Sequence, residues 1–100
     1  MKTTVQEIDG KIVATLSGDL DTAAAQETEQ ALQPLLKSEG KEIVIDCTEL
    51  EYIASSGLRI LLSILKQAKG VGSRVVLKNV NEVVRDVLEL TGFVSIFEFE

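Results

Sequence analysis

These 100 residues predict an α/β fold: a mixed, mostly parallel sheet with an N-terminal hairpin and helices packed against it. Three observations carry that expectation. Asp9-Gly10 separates two short alternating segments, which is a hairpin signal. Two compact runs rich in β-branched residues, around Ile43-Val44-Ile45 and from Arg74 to Leu77, have the look of strands buried on both faces. Segments with apolar residues at helical spacing alternate with those strands. That alternation favours parallel pairing through right-handed crossovers.

In chain order, "TTVQEIDGKIVATLSG" supplies the two hairpin strands. "DLDTAAAQETEQALQPLLKSEG" follows as a helix: Asp21 or Thr22 caps its start, Leu32, Leu35 and Leu36 give an apolar stripe, and Ser38-Glu39-Gly40 closes it. Pro34 lies inside that run, so a break or kink is expected near Gln33. After the strand at Ile43–Ile45 a loop carries Asp46, Thr48 and Glu49. A helix then starts at Ser55 or Ser56 and ends near Lys69, and Gly70-Val71-Gly72 turns the chain into the next strand. "NEVVRDVLELTG" is a helix with Asn81 as its cap, Val84, Val87, Leu88 and Leu90 apolar, and Gly92 at its end; "VSIFEFE" alternates as a final edge strand. No internal repeat or linker divides the chain, so residues 1–100 form one domain.

Composition removes several function classes. With no histidine, neither a Ser-His-Asp nor a Cys-His centre can be assembled, nor a histidine metal site. The net charge of −6 argues against non-specific nucleic-acid binding, which needs clustered Lys and Arg. Cys47 is alone, so there is no disulfide framework, and a reduced, cytoplasmic setting follows. "MKTTVQEIDG" has no apolar run of the kind a signal peptide needs, and no segment is apolar for long enough to span a bilayer. "ASSG" lacks the glycine of a nucleophile elbow, and Ser63 to Lys66 matches S-x-x-K without its companion motifs. Asp19, Asp21 and Asp46 fall near strand ends, where they cap helices and turns or bind a cation; capping is the commoner use.

The helix that begins at the serines has a surface to explain. With Leu58 set at zero and about 100° per residue, Leu61, Leu62, Leu65 and Ala68 fall within roughly 80° and form a core stripe. Ile60 and Ile64 fall at roughly 200° and 240°, with Ser56, Ser63 and Gln67 at roughly 140–180°. Either another element covers the isoleucines, or they sit at the centre of a partner-binding face with Ser56 at its edge. The serines carry two readings as well. One of Ser55 and Ser56 is expected to cap the helix. The other suits a phosphoacceptor, because a phosphate is tolerated at a helix N-terminus and disruptive in an interface.

"IVIDCTELEYIASSGLRILLSILKQAKGVGSRVVLKNV" resembles the signature region of the STAS domain, a family named for sulfate transporters and anti-sigma factor antagonists. "IVATLSGDLDTAAA" and "VVRDVLELTGFVSIFEF" extend the resemblance over nearly the whole chain. It implies a right-handed β-α superhelix and, for a short chain, a non-enzymatic anti-sigma factor antagonist rather than a transporter-attached copy. The unphosphorylated antagonist would bind an anti-sigma factor that is also a serine kinase, releasing a sigma factor. Phosphorylation of the serine before the glycine, here Ser56, would end the binding, and a serine phosphatase would reset it. Ser55 becomes the capping neighbour, and Asp21 and Asp46 are expected near Ser56. Asp21, Ser55, Ser56, Gly57, Ile60, Ser63, Ile64 and Gln67 are then the expected partner surface, the isoleucine face being read from the helix itself. Where many members carry Asp before the two serines, this chain has Ala54. A constitutive scaffold, or a subunit of a lipid-transport ABC complex, is the other role the family implies. No cofactor, metal or membrane insertion follows from any of these readings.

Overall fold

A two-residue turn opens the structure, a computed structural model that describes residues 1–33 and 40–100. Strands β1 (Lys2–Ile8) and β2 (Lys11–Leu20) pair antiparallel around Asp9 and Gly10, whose φ values of 52° and 77° are both left-handed. That conformation matches the twist of the flanking strands and is why Asp-Gly serves here. There follow α1 (Thr22–Ala31), β3 (Ile43–Ile53), α2 (Ser55–Gly70), β4 (Val75–Lys78), α3 (Glu82–Leu90), a 3-10 turn at Phe93–Ser95 and β5 (Glu98–Phe99). The sheet runs β1-β2-β3-β4-β5, with every pairing after the first parallel. Each parallel step reaches the adjacent strand, so crossovers of one hand bring the helices to one face.

The core lies between that face and the helices. Ile12, Ala14 and Leu16, Ile43 and Ile45, and Val75 and Leu77 point into a single cluster with Leu58, Leu61, Leu65, Val84 and Leu88. Removing each large aliphatic side chain from water stabilises by about 1.5–3 kcal/mol. Val44 and Val76, one residue out of phase, are also buried but lie outside the cluster, on the opposite face. Cys47 belongs to the core, and burial pushes its thiol up to about 12. It is a small packing residue rather than a nucleophile.

Several elements differ from expectation for identifiable reasons. The loop expected at Asp46 to Glu49 is instead strand, because β3 continues to Ile53. Its pairing with β2 skips a residue twice, so Thr15 and Ser17 face Asp46 and Glu49, while Gly18 and Asp19 face Leu50 and Tyr52. Each bulge places an extra residue on β3 and turns its buried positions into Cys47, Leu50 and Ile53, a spacing of three. Helix α1 stops at Ala31 with Leu32 as C-cap, ahead of Pro34, in keeping with the expected break; Leu35, Leu36 and the expected Ser38-Glu39 closure lie outside the described residues. Leu90 is 87% exposed, since two residues beyond Leu88 is about 200° around the helix. The last segment spends its first half on the 3-10 turn, leaving β5 two residues at the sheet edge. Among the described residues no helix is long and apolar enough to cross a membrane.

Asn81 joins two layers. Its side-chain oxygen accepts the Val84 N–H at 2.8 Å, capping α3, and its Nδ2 donates to the Leu50 carbonyl at 2.7 Å. Asn81→Ala removes the cap and orphans a partly buried carbonyl, for an expected loss of about 1–3 kcal/mol. Urea denaturation checks this as a lower midpoint at unchanged slope.

Candidate functional site

Two helices start side by side at the C-terminal ends of β2 and β3. The paired residues Leu20 and Ile53 end the ladder; Asp21 leads into α1 and Ala54 into α2. The Ala54 N–H donates to the Leu20 carbonyl at 2.8 Å and fixes the second start against the first. Gly57 completes the junction. A Cβ there would lie 2.6 Å from Leu20 Cγ and 3.0 Å from Ile53 Cγ1, so the first turn of α2 rests directly on those two side chains. This approach sets Ser56 beside Thr22, the first residue of α1, with its Oγ donating to Thr22 Oγ1 at 3.3 Å.

The two N-termini are finished differently. The Asp21 carboxylate accepts the Ala24 N–H at 2.9 Å and caps α1. At α2 the N-cap position is Ala54, with extended φ and ψ of −89° and 169° and no side-chain cap. Ser55, expected to cap, is already the first helical residue and is exposed. The hydrogen bond to Leu20 holds Ala54 extended and places the helix start one residue early. Leu58 N–H donates to the Ala54 carbonyl at 3.0 Å, so the amides of Ser55, Ser56 and Gly57 have no intrahelical acceptor and sit at the positive end of the helix dipole.

A groove runs from Ser56 between the helices, lined by Thr22, Ala25, Gln26 and Glu29 of α1 and Ser56, Arg59, Ile60 and Ser63 of α2. Here the expected partner face is corrected. Ile60 is 6% and Ile64 2% exposed, in the same core cluster as Ala25 and Leu32. Helix α1 lies against that flank of α2, and Ile60 is the floor of the groove rather than a displayed residue. Gly57 is buried too and serves packing. Ser63 and Gln67 are exposed as expected, with Gln67 Nε2 donating to Ser63 Oγ at 2.9 Å.

Asp21 and Ser56 do stand close, through Thr22. Asp46 does not: it precedes the end of β3 by seven residues, roughly 20 Å of strand. Its carboxylate accepts from the Thr48 hydroxyl and from the Thr48 N–H at 3.0 Å, which hold it below the usual carboxylate range. It lines a depression on the helix-free face of the sheet with Lys11, Val13, Val44 and Lys78. Asp19 borders a separate hollow with Asp21, Glu27 and Glu51. Among the described residues no group of His, Cys, Asp or Glu could hold a metal ion. Thr22 enters as the hydroxyl partner of Ser56, where sequence reasoning had only a cap. Arg59 is the other residue missed, one turn beyond Ser56 and legible from its i, i+3 spacing.

The family model described as STAS domain matches residues 2–100. BtrV of Bordetella bronchiseptica, provisionally assigned as an anti-sigma factor antagonist, is 38% identical over 97 residues, covering 97% of this chain and 84% of its own. The crystal structure of an anti-sigma factor antagonist from Mycobacterium paratuberculosis superposes with a TM-score of 0.82 at 30% identity, covering 98% of this chain and 83% of that one. The Bacillus cell fate determinant SpoIIAA in its phosphorylated form shares the fold, with a TM-score of 0.73 at 19% identity over 99% of this chain and 91% of that one.

Three substitutions check the junction and the groove. Gly57→Ala should destabilise by about 1–3 kcal/mol, because Leu20 and Ile53 must shift to admit the methyl group; an unchanged denaturation midpoint would show that the contact is slack. Ile60→Glu should cost roughly 3–5 kcal/mol, the penalty of a buried unpaired charge. Ser63→Glu, one turn along but exposed, should stay within about 0.5 kcal/mol. Thermal melts of the two side by side separate floor from surface.

Proposed function

Because the chain belongs to the STAS domain family, we propose that it is an anti-sigma factor antagonist switched by phosphorylation of Ser56. The placement of Ser56 carries this reading: a half-buried hydroxyl at the head of an open groove, where two helix N-termini meet. The names of its relatives support it, as does the existence of SpoIIAA in a phosphorylated form.

The chemistry asks little of this chain. The kinase brings ATP and a base. The Ser56 Oγ–P bond forms as the bond from the γ-phosphorus to the ADP oxygen breaks, and the hydroxyl proton passes to the kinase. Beside Ser56 the chain offers the Thr22 hydroxyl, and its role in the transfer is that of substrate and binding partner rather than enzyme. In the unphosphorylated state the groove and the exposed Ser55, Ser63 and Gln67 beside it meet the anti-sigma factor in the cytoplasm, freeing a sigma factor. The phosphate adds a charge of about −1.5 to −2. Within the fold it lies near unpaired backbone amides and the positive end of a dipole, which favour it. Across an interface it must be desolvated against the partner, which does not. A serine phosphatase then hydrolyses the ester and restores the binding form.

Incubation with the cognate anti-sigma kinase and ATP should add the mass of one phosphoryl group. The gain should persist in Ser55→Ala and vanish in Ser56→Ala. Modification surviving Ser56→Ala would remove the acceptor from this site.

A further inference from the structure

The structure carries an unusual separation of charge. Helix α2 holds Arg59, Lys66 and Lys69 and none of the chain's 16 acidic residues, although the chain as a whole carries −6. Of the other described cations, four are engaged, and Lys2 and Lys78, both on the sheet, are in no ion pair. Lys11 pairs with Glu42 at 2.9 Å and Lys41 with Glu7 at 2.7 Å; Arg74 bridges Glu42 and Glu98, and Arg85 lies 4.7 Å over the Phe99 ring. Arg59, Lys66 and Lys69 are exposed and, among the described residues, have no ion pair. Arg59 and Lys66 are seven residues apart, within about 20° on the helix and about 10 Å along it, in the middle of its solvent arc. Ser56 stands one turn before Arg59, and both line the groove.

We propose that this arc is an electrostatic docking strip for an acidic face of the anti-sigma factor, and that phosphate on Ser56 acts by cancelling the strip at its leading end. The inference rests on the function proposed above and adds the chemistry of the surface recognised. A positive strip on an otherwise negative molecule orients encounters, because the rest of the surface repels an acidic partner while the strip attracts it. A phosphoserine charge of about −2, about 4.5 Å along the helix from Arg59, takes the three positive charges to about one. The acidic neighbours bear on the same balance. Glu29 of α1 lines the groove opposite Arg59, while Asp21 and, midway along α1, Glu27 border a separate hollow; among the residues lining the groove Arg59 is the one cation that meets the phosphate.

Two double variants of equal net charge test the strip: Arg59→Gln with Lys66→Gln, and Lys2→Gln with Lys78→Gln on the sheet. Association with the unphosphorylated protein is followed by stopped flow against the cognate anti-sigma factor over a range of salt. The strip variant should lose about tenfold in kon at low salt and show a flatter salt dependence, with koff within about twofold of wild type. The sheet variant should keep the wild-type kon within about twofold. Equal kon and equal salt slopes for the two variants would overturn the strip while leaving the antagonist function standing. A wild-type protein that does not bind the anti-sigma factor at any salt would overturn both.

Discussion

The missing side chain at Gly57 is the constraint on which the rest of the site depends. Leu20 and Ile53 fill the space a Cβ would need, and the Ala54 N–H is tied to the Leu20 carbonyl, so α2 can begin only where it does. From that start everything follows by helical geometry. Ser56 falls beside Thr22, Arg59 and Ser63 edge the groove, and Ile60 goes to its floor. The glycine of the Ser-Ser-Gly stretch is thus a packing residue, and the serine before it acquires its position from that packing.

Most of the fold was legible because its signals are local and regular. The Asp9-Gly10 turn, the Asn81 cap and the compact β-branched runs at Ile43 to Ile45 and Val75 to Leu77 each rest on a few adjacent residues. What escaped was non-local. The second half of β3 has its apolar residues three apart, at Cys47, Leu50 and Ile53, because two bulges against β2 interrupt the pleat. No reading of β3 by itself shows a strand there. Only the partner strand makes the pattern intelligible, and the distance between Asp46 and Ser56 comes from that added length.

The sequence names Ser56 as a candidate and misplaces the surface around it. On α2 the arc from Ile60 through Ile64, Gly57, Ala68, Leu61, Leu65 and Leu58 to Leu62 is continuous over roughly 200°. Taking Leu58 as its centre made the isoleucines look like a second, opposite face. They are instead the flank of one wide arc, broad because α2 packs against both the sheet and α1. The polar remainder is centred on Arg59 and Lys66, and its charge is the signal an apolar reading passes over. Which serine matters was likewise not decided by helix physics. Family likeness separated them, and the geometry adds that Ser55 is an uncapped first residue while Ser56 has a hydroxyl neighbour.

The fold and the proposed function place opposite demands on one hydroxyl. Inside the molecule a phosphate on Ser56 meets amides and a dipole that favour it; at an interface the same group is a desolvated, repelled dianion. A switch of this kind needs no rearrangement of the sheet or helices. The direct test is calorimetric titration of the cognate anti-sigma factor into unmodified and stoichiometrically Ser56-phosphorylated protein, both shown by circular dichroism to have the same fold. Binding at least about tenfold weaker after phosphorylation is the result this account predicts. Equal affinity for the two forms would contradict it.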